Sequence, residues 1–193
     1  MKSFSLIIIL FLFGLFDALG QPVHVLIAYH SETGHTEAMA NAVAEGARTV
    51  NEVTVTLKPV SEVTASDLLD ADAIIVGSPV YNANVSPEIS AFIASWPFEG
   101  EPLKDKIGAA FVSAGGISAG EEIVQMNILQ SMLVFGMVVV GGPDWKQPFG
   151  ASSATSEMPF TTTSAEETED LFLRKGHSLG ARVAAITVRF REN

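Results

Sequence analysis

A chain of 193 residues, 48% of them hydrophobic, is long enough for one domain with a sizeable core and too apolar for disorder throughout. Acidic residues outnumber basic ones 22 to 11, and the net charge of -11 excludes the usual cationic grip on nucleic acid or anionic lipid. The absence of cysteine excludes disulfides, thiolate catalysis and cysteine-held zinc or iron–sulfur clusters.

At the start of the chain, Lys2 precedes an apolar run over 6–16, and Ala18 and Gly20 stand just before Gln21. This is the form of a cleavable export signal. The run falls short of the ~20 residues that span a bilayer. The expectation is a signal over 1–20 and a periplasmic or secreted domain over 21–193 that does not insert into a membrane. An N-terminal anchor is the alternative.

The first strand is predicted over 23–29, and the next four over 53–57, 73–76, 107–113 and 137–140. The third and fifth are continuously apolar, as in strands buried on both faces. Met39, Val43, Ala47 and Val50 recur at helical spacing after Gly34. Pro87 with Ile89, Phe92 and Ile93 predicts a second helix. A third opens at Glu121 and Glu122, whose charges suit a helix N-terminus, and runs through Met132. A last helix is expected from Ala165 to Val188. Strands alternating with helices give a parallel sheet covered on both faces. Residues 141–164 show no periodicity and read as a long loop after the last strand.

In open parallel sheets, ligands bind beyond the carboxyl ends of the strands. Here the first, third and fourth strands each end in small, hydrogen-bonding residues. The first loop, Ser31-Glu32-Thr33-Gly34-His35-Thr36, enters a helix with hydroxyls, a glycine and free N–H donors, which is an anion cradle without a basic side chain. It lacks the lysine of a P-loop, and no Gly-x-Gly-x-x-Gly dinucleotide fingerprint is present. The second loop contains Pro79-Val80-Tyr81-Asn82, and the third Ser113-Ala114-Gly115-Gly116-Ile117. Tyr81 and the loop amides suit a flat aromatic ligand.

These loops and their surroundings resemble one family. The stretch Tyr29-His30-Ser31-Glu32-Thr33-Gly34-His35-Thr36-Glu37 looks like the opening of WrbA-like NAD(P)H:quinone oxidoreductases of the flavodoxin superfamily. Gly77-Ser78-Pro79 with Asn84-Val85-Ser86, then Ser113-Ala114-Gly115-Gly116, and finally Pro148-Phe149-Gly150-Ala151 are similar to later motifs of that family, in the same order. The resemblance implies a flavodoxin-like α/β three-layer sandwich with a five-stranded parallel sheet in the order 2-1-3-4-5. It implies FMN with its phosphate at Ser31, Glu32, Thr33, Gly34, His35 and Thr36. The isoalloxazine would lie against Pro79, Val80, Tyr81 and Asn82 and against Ser113, Ala114, Gly115, Gly116 and Ile117. Two-electron reduction of quinones by NAD(P)H, in a dimer or tetramer, is the implied activity. Three features depart from the pattern: Val134 and Phe135 replace a histidine pair, Val80-Tyr81-Asn82 replaces an arginine-containing segment, and the loop after Gly142 is short.

Two other readings compete. An exported flavodoxin-type electron carrier would keep FMN and dock a redox protein through its acidic surface. A serine hydrolase would use Gly116-Ile117-Ser118-Ala119-Gly120 as a nucleophile elbow, with Asp144 or Asp170 and His177. The four histidines lack paired ligand spacing, so no metal site is expected.

Overall fold

β-Branched and aliphatic residues dominate the strands, and their alternation distributes side chains to two helical layers. The computed structural model describes residues 21–161 and 168–191. The export signal expected over 1–20 and the helix start expected at Ala165 lie outside the described residues. β1 (Val23–Tyr29), β2 (Val53–Pro59), β3 (Ala73–Pro79), β4 (Ile107–Ala114) and β5 (Val138–Val139) form a parallel sheet in the order β2-β1-β3-β4-β5. The helices are α1 (His35–Arg48), α2 (Ala65–Asp70), α3 (Pro87–Ala94), α4 (Glu121–Val134) and α5 (Asp170–Arg191). This is the α/β sandwich and strand order expected from the sequence.

Val25 and Ile27 of β1 face a core shared with Met39 and Val43 of α1 and Leu179 and Val183 of α5. Leu26 and Ala28, one residue out of phase, join Ile89 of α3 and Ile128 and Met132 of α4 on the other face. β3 and β4 are buried along their whole length. None of the helices among the described residues is long and apolar enough to cross a membrane.

The fifth strand differs from expectation. β5 covers only Val138–Val139 of the expected 137–140, and Val138 is 38% exposed, so it is a sheet edge and not a strand buried on both faces. Gly141 and Gly142 lead the chain away into a turn closed by the Gly142 N–H donating to the Gln147 carbonyl at 2.9 Å. The chain returns as β6 (Ala151–Ala154), which pairs in parallel with the outer half of β4, from Phe111 to Ala114. A small hairpin of β7 (Ser156–Glu157) and β8 (Phe160–Thr161) follows. The segment read as one long loop therefore completes the edge of the sheet. At the other end, Thr168 and Glu169 are not helical, and α5 begins at Asp170.

Two features generate predictions. α1 and α5 approach so closely that a Cβ on Gly180 would stand 1.9 Å from the Val43 carbonyl oxygen. Gly180→Ala is expected to lower stability in urea denaturation by roughly 1–3 kcal/mol, the range for overpacked cores. Separately, the Lys58 ammonium at 2.7 Å, with the Thr64 backbone N–H, holds the Asp67 carboxyl down to about 2. A lowered folded-state pKa stabilises above the ordinary carboxylate value and is lost as pH falls toward the folded one. The stability difference between the native chain and Lys58→Met should therefore shrink as urea midpoints are measured from pH about 5 toward pH about 2.

Candidate functional site

The starts of α1 to α4 fall into two groups. α2 begins with a capping box, in which the Thr64 side chain accepts from the Asp67 N–H and the Asp67 carboxylate accepts from the Thr64 N–H. α3 begins with Ser86, whose hydroxyl accepts from the Ile89 N–H, and with Pro87 in its first turn. α1 and α4 instead start at Gly34 (φ 85°) and Gly120 (φ 105°), both left-handed, and neither has a side-chain cap. A side chain would strain that backbone, so glycine is suited to both positions. Uncapped first-turn N–H groups and the positive end of the helix dipole favour an anion.

The sheet brings the expected loops together. The buried Thr36 and Ser113 hydroxyls are 2.6 Å apart and hydrogen-bonded, tying the start of α1 to the end of β4. The Val80 N–H donates to the Ser113 carbonyl at 2.8 Å, tying in the second loop. Ser31 is turned inward and accepts from the Gly34 N–H at 3.1 Å, while Glu32 and Thr33 are exposed. His35 packs toward Thr168, with Nδ1 3.4 Å from its hydroxyl. In the second loop, Tyr81 and Asn84 exchange backbone hydrogen bonds across a two-residue turn in which Asn82 and Ala83 have φ of 52° and 60°. Burial, followed by the nearby Glu32 carboxylate, raises the pKa of Tyr81, so its hydroxyl remains a donor.

The third loop has partners that its own sequence does not reveal. Thr155 and Ser156 donate their N–H groups to the Ala114 and Gly115 carbonyls at 3.0 and 2.8 Å. The Glu157 carboxylate accepts from the Ile117 N–H at 2.7 Å. A ligand seated on that amide must displace Glu157. These three residues lie in the stretch read as loop, and the small, weakly apolar Ala151–Ala154 carries no sequence signal for their approach.

Beside the first loop lies a cleft of about 550 Å³ between the ends of β1 and β2 and α3, lined among others by Tyr29, His30, Glu37, Val60 and Glu88. Tyr29 donates to Glu37 at 2.9 Å, and burial together with that carboxylate pushes its phenol up to about 12. The sequence alone gave no indication of this cleft.

The hydrolase reading fails on geometry. Ser118 stands exposed beside Glu121 and Glu122, whereas His177 lies inside α5 against Ala38, Asn41 and Glu45 of α1. Asp144 is occupied with the Lys146 N–H, and Asp170 pairs with Arg174. Val134 and Phe135 end α4 at the amino edge of the sheet, opposite the three loops; Phe135 packs on Trp96 and Phe98.

Comparison with known proteins agrees with this arrangement. A family model described as NADPH-dependent FMN reductase matches residues 56–151. A flavodoxin from Aquifex aeolicus is 40% identical over 126 residues, covering 63% of this chain and 66% of that protein. An NAD(P)H dehydrogenase (quinone) from Afipia carboxidovorans is 32% identical over 188 residues, covering 85% of this chain and 94% of its own. The crystal structure of a WrbA-like flavodoxin from Agrobacterium tumefaciens superimposes with a TM-score of 0.72 at 24% identity, covering 87% of this chain and 99% of that one. Residue-level similarity along nearly the full length of the Afipia protein, together with the strand order and the loops, places this chain in the WrbA-like NAD(P)H dehydrogenase (quinone) family of FMN-dependent, flavodoxin-fold oxidoreductases.

Proposed function

We propose that this chain holds FMN across its three loops and uses it to pass two electrons from NAD(P)H to a quinone. The observation that carries the reading is the pair of uncapped helix starts, at Gly34 and Gly120, where α2 and α3 are capped by side chains. The first-turn N–H groups of α1 and the exposed Thr33 hydroxyl would grip the phosphate, with the helix dipole in place of a basic side chain. FMN, when bound, supplies the electron-transfer chemistry, and the protein supplies its placement. Val80 and Tyr81 on one side and Gly115, Gly116 and Ile117 on the other would bracket the ring. Ile117, 52% exposed, gives the third loop an apolar rim suited to a quinone.

A flavodoxin-type electron carrier is the second reading. It is favoured by the second loop, where Val80-Tyr81-Asn82-Ala83 offers no cation to the phosphates of a nicotinamide nucleotide. Steady-state oxidation of NAD(P)H with a soluble quinone separates the two: turnover supports the oxidoreductase, and flavin reduction only by a partner protein supports the carrier. Export through residues 1–20 and a homo-oligomeric state belong to the same proposal. They are tested by the mass of the exported protein and by analytical ultracentrifugation.

Two substitutions probe the cradle and the ring. Thr33→Val should weaken FMN binding about tenfold, the value of one hydrogen bond to a charged group, with an unchanged urea midpoint. Glu157→Ala should free the Ile117 amide and tighten FMN binding about fivefold, as expected for one added neutral hydrogen bond. Fluorescence quenching on titration with FMN measures both.

A further inference from the structure

We propose that His30, Glu32 and Glu88 form a site for a divalent transition-metal ion, of the kind zinc represents, at the mouth of the cleft between β1, β2 and α3. His30 directly follows β1, Glu32 lies in the first loop, and Glu88 lies in the first turn of α3. One ligand atom from each falls within 4.8 Å of the other two. His30 Nε2 is 3.3 Å from Glu88 Oε2 and 4.0 Å from Glu32 Oε1. A tetrahedral ion with bonds of about 2.1 Å sets its ligand atoms about 3.4 Å apart. His30 and Glu88 already meet that spacing. Glu32, with its side chain 64% exposed, is free to rotate in.

The imidazole gives a second indication. The His30 side chain is only 17% exposed, and its buried Nε2 makes no hydrogen bond, although it faces the Glu88 carboxylate at 3.3 Å. A buried polar nitrogen in that state is costly, and a metal bond would satisfy it. Among the described residues, Glu32 and Glu88 have no lysine or arginine partner, in a chain already at -11. One imidazole nitrogen and two carboxylate oxygens suit zinc or manganese better than a soft ion such as copper(I). The adjoining cleft leaves the remaining coordination positions open to water or a small ligand. Sequence spacing does not reveal this site because two of the three ligands are carboxylates and one comes from the start of α3.

Isothermal titration of the chelator-treated, purified full chain with zinc chloride tests the proposal. Saturable uptake of one ion per chain is expected. Glu32→Gln and Glu88→Gln should each weaken it by at least about tenfold, with circular dichroism unchanged, and Glu101→Gln on the far side should leave it intact. Absence of saturable uptake would reduce the cluster to a histidine–glutamate ion pair. Equal affinity in Glu32→Gln, Glu88→Gln and the native chain would place the zinc elsewhere. Either result overturns the assignment.

Discussion

A parallel sheet in the order β2-β1-β3-β4 places the start of α1 beside the end of β4, and one buried 2.6 Å hydrogen bond between Thr36 and Ser113 holds them there. That link lets two helices without side-chain caps share a single edge. The protein caps α2 and α3 with its own side chains but leaves the starts of α1 and α4 to left-handed glycines. Peptide dipoles therefore carry the positive potential at an edge whose first loop holds no lysine or arginine. Dipoles fixed before a ligand arrives need no reorganisation, and they act more strongly where water is excluded. An acidic chain can then receive a phosphorylated ligand without placing a mobile cation beside it.

The parts of the fold that were legible in the sequence are those with strong periodicity. β1 to β4, α1, α3 and α4 each bury one face or both, so burial is written into their residue pattern. β5 is shorter than its apolar run over 137–140 because apolar character does not say how many neighbours a strand has. β6 was missed because Ala151-Ser152-Ser153-Ala154 is small and weakly apolar, and its burial comes from β4 and from Gln125, which donates to the Ala151 carbonyl at 2.9 Å. The helix–turn chemistry of the first loop was also legible. Glu157 was not, because it reaches Ile117 from 40 residues away through β6 and the hairpin.

Topology also decides which departures from the family pattern touch the site. Val134 and Phe135 sit at the amino edge, so within one chain their replacement of a histidine pair leaves the three loops unaltered. The change at Val80-Tyr81-Asn82 lies directly at the junction of the loops, where the Val80 N–H donates to the Ser113 carbonyl. Similarly, the Gly-x-Ser-x-Gly pattern at 116–120 is turn chemistry for the start of α4: Ser118 donates its N–H to Glu121 at 2.9 Å. A motif gains meaning only from what the fold places around it, and here it places carboxylates and no histidine.

Everything turns on a helix start serving as the phosphate site. A crystal structure of the protein grown with FMN tests this directly. The account requires phosphate oxygens within hydrogen-bonding distance of the backbone N–H groups at the first turn of α1, with Gly34 still left-handed. A phosphate held by basic side chains elsewhere, with the turn from Ser31 to Thr36 making no contact to the ligand, would contradict it.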